Sequence, residues 1–524
     1  MRKLLSLVIT IAVLLSIPFA SAEGDDILIT IGKQYNKNST IMEGHSVDNN
    51  YFLDYIYEKD HIKVDYAWVL DDDSQKAALA VANGEIPDVM IVDLDTYNML
   101  LESDMLAPLN DAFEEGAGEY LNAARFFYKE AFAAASVGDK LMAIPNTTLK
   151  GAHSMTWVRR DWLANVGIEI GDTLTLDEIV TIAEAFVTQD PDGNGIDDTI
   201  GLPMDPSIVM GGYQRNYDFS RIANLMGAYP RTWFLDEEGT VHYGSVEKET
   251  RDVLEYLAQL YERGLIDRQF AVRDQSELVI SGKCGILFAP WTGGDVRNSH
   301  GYDGADWIPV VGPVDEMGNF YIVGPEPCQY YTVVSKYCEH PEAIIRIIED
   351  EYCFWTYLTG DSKWDELNSQ YQTLGVGWTV MPIAIEICNN DVLGQRGIDM
   401  KQMVETNGDR TGVSLANQAF YDAWLQYCED HTFLTGWMRY VGMYLGNNLA
   451  SFYEKNVIID PCFWGTTKTM KDKWVNLKTM EDELYVKVIM NEVGIEAYDE
   501  FVERWYAEGG TDIVNEVQKL MDCK

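Results

Sequence analysis

Cysteine is missing from this 524-residue chain until Cys284. No thiol therefore follows the N-terminus closely enough to carry a lipid. The eight cysteines (Cys284, Cys328, Cys338, Cys353, Cys388, Cys428, Cys462 and Cys523) form no CxxC pair, and the seven histidines are scattered, which excludes a zinc cluster. Basic residues are few, 39 against 84 acidic ones, and the resulting net charge of −45 repels nucleic acid and anionic membrane surfaces. The chain lacks a GxSxG elbow, an HExxH pair and a Walker loop. Beyond the N-terminus it also lacks an apolar run long enough to span a bilayer. Acidic pairs are abundant but none stands out by spacing, so a glycosidase-type carboxylate pair stays open.

The N-terminus itself is patterned. Arg2 and Lys3 precede an apolar run from Leu4 to Ile17, Pro18 breaks it, and Ala20-Ser21-Ala22 offers a small-residue cleavage site. Residues 1–22 read as a secretory signal, and the mature chain as exported and soluble. Losing Arg2 and Lys3 takes the net charge from −45 to −47, spread along the chain as a solubilising surface. Hydrophobic residues make up 47% and charged residues 23%, a globular balance, and the length suits two lobes better than one core.

The organising stretch is 141–163. Leu141 to Ile144 reads as a strand stopped by Pro145, Asn146-Thr147-Thr148 as a polar connection, and Ser154 to Val158 as a second strand with Arg159 opening a helix. Ahead of it, strands at 27–31, 61–68 and 89–92 alternate with a helix at 74–82, as in a doubly wound α/β lobe. Gln34, Tyr35, Asp93 and Asp95 fall at the carboxyl ends of those strands, where ligands bind in such sheets. Behind it, Thr175 and Glu178 form a capping box, 233–244 reads as a hairpin, and 284–289 as a buried strand. Residues 307–313 read as a return crossing, and the chain is mostly helical after Glu342.

Two patterns carry chemistry. Asp190, Asp192 and Asn194 place side-chain oxygens at positions 1, 3 and 5 of a loop, Gly195 takes position 6, Ile196 offers its carbonyl at 7 and Asp198 stands at 9. This is the start of a calcium loop of EF-hand type, although Gly201 replaces the bidentate Glu at position 12. A solvated acidic turn has the same spacing. Second, Trp157, Trp291 and Trp464 sit at element ends, where a flat apolar face beside polar groups suits a sugar ring; core packing is the commoner fate of a tryptophan.

Seven segments in order are similar to one family: 84–93, 156–167, 190–202, 256–270, 281–291, 463–470 and 473–517. Together they resemble the extracellular solute-binding proteins, family 1, of bacterial ABC importers, in the long-chain branch serving carbohydrate uptake. The resemblance implies an α/β fold of two lobes (periplasmic-binding-protein-like, type II), each a doubly wound sheet with helices, and a ligand cleft between them. Lobe one would span 23–148 and 309–385, lobe two 149–308, and residues 386–524 would belong chiefly to lobe two. It implies an oligosaccharide ligand, permease membrane subunits as partners, a monomer, no catalysis and a structural calcium. Trp291, Trp464, Trp157, Arg159, Asn146, Gln34, Tyr35 and Asp93 are the expected ligand contacts. A secreted glycoside-active enzyme and a ligand-sensing component of a signalling system are the alternatives.

Overall fold

Ile29 and Ile31 of the strand Ile27–Gln34 are buried, and so are Val89, Met90 and Val92 of the strand Val89–Val92. Burial of this kind is what strands covered on both faces require. The computed structural model describes residues 26–35, 39–71, 74–147, 154–208, 216–291, 293, 305–324, 326–387 and 392–522. The expected signal segment 1–22, Cys388 and Cys523 lie outside these residues, and the six described cysteines are free thiols.

The first lobe is built on a five-stranded sheet ordered Ile62–Leu70, Ile27–Gln34, Val89–Val92, Cys328–Val334, Ile144–Thr147. Ile27–Gln34 runs parallel to both of its neighbours, while Cys328–Val334 runs antiparallel to both of its own. Several helices cover this lobe's core, and one of them is almost wholly buried. Pro341–Trp355 opens with proline at its first turn and buries Ala343, Ile344, Ile345, Ile347 and Ile348 completely. Each of these four isoleucines contributes about 1.5–3 kcal/mol.

The second lobe has a four-stranded sheet ordered Ile286–Ala289, Met155–Arg159, Trp307–Val314, Thr173–Thr175. The C-terminal helices Lys468–Ile489, Glu496–Trp505 and Thr511–Asp522 join its core through Leu477, Tyr485, Trp505, Ile513 and Val517. The capping box forms as its spacing dictates: Thr175 accepts from the Glu178 amide, and Glu178 accepts in return from the Thr175 amide. The hairpin also forms, as Trp233–Leu235 against Val241–Tyr243. Among the described residues no helix is long and apolar enough to cross a membrane.

Two local expectations are corrected. Pro145 does not stop a strand but lies inside Ile144–Thr147, which is tolerated because that strand is the sheet's edge and needs no donor on its open side. The strand Trp307–Val314 is no return crossing. It stays in the second sheet, paired with Met155–Arg159 and Thr173–Thr175, and the chain rejoins the first sheet at Cys328–Val334.

Candidate functional site

A cavity of about 360 Å³ opens between the lobes. The first lobe lines it with Leu94, Ala134, Glu326, Pro327, Cys328 and Tyr331, and the second with Cys462, Phe463, Trp464, Gly465, Leu520 and Met521. Leu94 follows the carboxyl end of Val89–Val92, where a doubly wound sheet holds its ligand. Tyr331 is fixed from behind by Tyr97, whose ring stacks on it at 4.3 Å and 5° and whose hydroxyl donates to the Ala135 carbonyl at 3.1 Å. The loop carrying Trp464 is pinned at both ends. The Cys462 amide donates to the Trp233 carbonyl at 2.8 Å, and Thr467 caps the helix Lys468–Ile489. Burial pushes the Glu326 carboxyl up to about 7.

Of the expected contacts, only Trp464 lines this cavity. Gln34, Tyr35, Asp93 and Asn146 stand along the carboxyl edge of the first sheet, with part of their polar capacity already used. Gln34 donates to the Asp71 carbonyl at 3.0 Å, and Asp93 caps the helix Leu94–Glu102 by accepting from the Thr96 amide at 2.8 Å. Tyr35 and Asn146 are half-buried, Asn146 inside the edge strand opposite Tyr330. Trp291 is half-buried just beyond Ile286–Ala289 and packs on the π-helical turn Tyr440–Gly446. Gly442 and Gly446 permit that approach: a Cβ on Gly442 would lie 3.1 Å from the ring and one on Gly446 3.4 Å from the Trp291 backbone. The Trp291 indole N–H is buried without a partner among the described residues, which leaves a donor for something else to satisfy.

Trp157 and Arg159 are placed otherwise than expected. Trp157 is fully buried in the second lobe, and its indole N–H donates to the Ala289 and Pro290 carbonyls at 3.2 and 3.0 Å, so it has neither face nor donor to offer. Arg159 lies at the end of its strand opposite Met155, paired with Asp161 and stacked on Trp162 at 4.8 Å. Strand alternation alone did not distinguish the core side of Met155–Arg159 from an open one, because both of its faces are buried. Glu326, Tyr331, Phe463, Leu520 and Met521 escaped the sequence reading. Tyr331, Leu520 and Met521 give only the signal of apolar residues within a strand and a helix, which any core shares, and Glu326 and Phe463 lie in connections without a motif of their own.

In the loop 190–198, Asp190 accepts from the amides of Asn194 at 3.1 Å and Gly195 at 3.0 Å. Asp192 accepts from the Asn194 side chain at 2.7 Å, and Asn194 Oδ1 from the Ile196 amide at 2.6 Å. Gly195 carries the positive φ of 76° that position 6 of such a loop demands. Burial and the Asp190 and Asp198 carboxylates raise the Asp192 pKa, so oxygens converge here. Lys283 approaches Asp198 at 2.9 Å and lowers its pKa. Among the described residues no three His, Cys, Asp or Glu side chains form a metal-binding group, so a cation in this loop would rest on a mixed donor set: the Asp190 and Asp192 carboxylates, the Asn194 amide oxygen, the Ile196 carbonyl and, once released from Lys283, the Asp198 carboxylate.

Residues 43–349 match the family described as bacterial extracellular solute-binding protein. Lipoprotein LipO of Bacillus subtilis (strain 168) is 36% identical over 133 residues, 25% of each chain. The fructooligosaccharide ABC transporter substrate-binding protein FusA of Streptococcus pneumoniae is 23% identical over 270 residues, 48% of this chain and 47% of FusA. The chain thus spans a quarter to about half the length of these curated relatives. In fold, the alginate-binding protein AlgQ2 without calcium ion matches with a TM-score of 0.61 at 15% identity, over 95% of this chain and 98% of that one. A FusA EF-hand mutant in complex with fructo-nystose matches with 0.59 at 15% identity, over 94% and 99%. Two lobes with a cavity between them, and a family match across more than half of its length, place the chain in the bacterial extracellular solute-binding protein family.

Proposed function

We propose that this chain is exported, captures an oligosaccharide between its lobes as a monomer, and delivers it to the membrane subunits of an ABC permease. The observation that carries this reading is the cavity shared by both lobes, with Trp464, Phe463 and Tyr331 on its walls. Aromatic faces stack on the CH faces of sugar rings, while hydroxyls need polar partners. Gln34, Tyr35, Asp93 and Asn146 supply those partners along the first-lobe edge, and Trp291 adds a ring and a free donor. FusA, whose name states such a role for fructooligosaccharides, lends support from sequence. A ligand touching both lobes shifts the population towards a closed form.

Calorimetry and scattering against an oligosaccharide panel test the reading. A bound sugar should be recovered uncleaved and should reduce the radius of gyration. Trp464→Ala and Trp291→Ala should each weaken binding by about 2 kcal/mol or more, as for buried aromatic anchors. Wild-type affinity in both variants would assign the rings to packing alone.

The loop 190–198 holds a structural calcium in the same reading. Asp190, Asp192, Asn194 and Asp198 give side-chain oxygens and Ile196 its carbonyl, a set of hard donors that a divalent cation draws together. Its charge relieves the repulsion seen at Asp192.

A further inference from the structure

An ion pair joins the two walls of the shared cavity from outside it. Leu94 opens the helix Leu94–Glu102 and lines the first-lobe wall, and Glu102 ends the same helix about 12 Å further along. Trp464 lines the second-lobe wall, and its loop leads into the helix Lys468–Ile489, with Lys471 in the first turn. The Lys471 ammonium meets the Glu102 carboxylate at 3.3 Å. Neither charge suits its own helix. Glu102 is the last residue of a helix with no base in its last turn, and Lys471 belongs to a helix with no acid in its first. A helix dipole disfavours an anion at the C-terminus and a cation at the N-terminus. Across the gap the signs are right, because the pairing draws Lys471 towards a helix C-terminus and Glu102 towards a helix N-terminus. Glu516 fixes that N-terminus from within the second lobe, accepting from the Thr469 amide and hydroxyl at 2.9 and 2.8 Å.

We propose that Glu102 and Lys471 form an ionic latch that biases the two lobes towards closure before any ligand is bound. The proposal rests on the capture reading and adds a control to the same cleft. With 84 acidic against 39 basic residues spread along the chain, the lobes repel as they approach. A pair of opposite charges across the gap offsets part of that repulsion. Both side chains are exposed, and such a pair shifts an equilibrium by about fivefold at most. The latch therefore biases the lobes without locking them. A larger closed population in the free protein reduces the shift that a ligand must supply.

Charge reversal tests the latch by small-angle scattering from the unliganded mature chain at low ionic strength. Glu102→Lys and Lys471→Glu each replace attraction with repulsion, and each should enlarge the radius of gyration. The two changes together restore a pair with its signs exchanged and should return the wild-type radius. Salt at about 1 M, where the screening length is about 3 Å, should shrink the difference between each single variant and wild type. A melting scan of each variant checks that it is folded. Single variants with the wild-type radius, or a double variant as expanded as the singles, overturn the latch. Contraction of the wild type by a bound oligosaccharide would then still uphold capture. If no oligosaccharide binds, the capture reading fails, while the radii of the unliganded variants still decide whether the pair holds the lobes.

Discussion

In the first lobe, helix Pro341–Trp355 carries three consecutive acids, and each holds a different segment. Glu349 accepts from the Tyr120 and Leu121 amides at 3.0 and 2.9 Å, at the start of helix Glu119–Phe127. Asp350 pairs with Lys59. Glu351 accepts from the Ile383 and Ala384 amides at 2.7 and 3.0 Å, on the segment that leads out towards the second lobe. In the second lobe the buried acids work with charge: Glu481 meets the Arg231 guanidinium at 2.8 Å and the Tyr243 hydroxyl at 3.1 Å, and Asp267 meets the Arg273 guanidinium at 3.2 Å. The difference is instructive. A carboxyl that serves main-chain amides can take up a proton without leaving an ion behind, whereas an ion pair cannot be cut without stranding its partner. Glu351 in the first lobe should therefore answer to pH, and Glu481 in the second to substitution.

Glu481→Ala tests the second half of that contrast and should have the largest effect. It leaves Arg231, 20% exposed, without its main partner and the Tyr243 hydroxyl without an acceptor. About 3–5 kcal/mol of stability should be lost in chemical denaturation. A loss below about 1 kcal/mol would mean that Asp482, which also pairs with Arg231, takes over as it would at a surface.

Calcium bears on the same lobe and should act next most strongly. At about 100 times its dissociation constant a bound ion adds about 2.7 kcal/mol. Chelation should lower the melting temperature, and Asp192→Ala should abolish the difference while sparing ligand affinity. Identical melting in calcium and in chelator would reduce the loop to an acidic turn.

The pH dependence is the subtlest. Burial pushes Asp350 up to about 7, with Asp60 adding to the shift and Lys59 opposing it. Burial pushes Glu351 up to about 8, against the Ile383 and Ala384 amides and Lys33. Both folded values exceed the ordinary 3.8 and 4.5, so the folded chain binds more protons than the unfolded one across that range. This stabilisation is complete below about pH 4 and is lost as pH rises to about 8. Denaturation midpoints should fall over that window, and Glu351→Gln should flatten part of the slope. A midpoint that rises with pH would reverse the comparison between the lobes.

What could be read in the chain beforehand was what neighbours in sequence decide. The capping box needs only Thr175 and Glu178 three residues apart, the hairpin only a turn at Glu238-Gly239 between apolar runs, and the strand Val89–Val92 only an unbroken apolar run. The ordered motifs also pointed to the family. Tertiary structure alone decided which face of an element meets the cleft. Trp157 and Trp464 both read in sequence as tryptophans at element ends, yet Trp157 lies mid-strand, paired on both sides by strands distant in sequence, while Trp464 lines the cavity. Pro145 could remain in a strand only because that strand became an edge, and Trp307–Val314 stayed in the second sheet because its partners there lie over a hundred residues upstream. Glu326 owes its environment to Tyr331 close by and to the loop around Trp464 far along the chain. A contact of that span leaves no local period, since its residues become neighbours only once both lobes have folded.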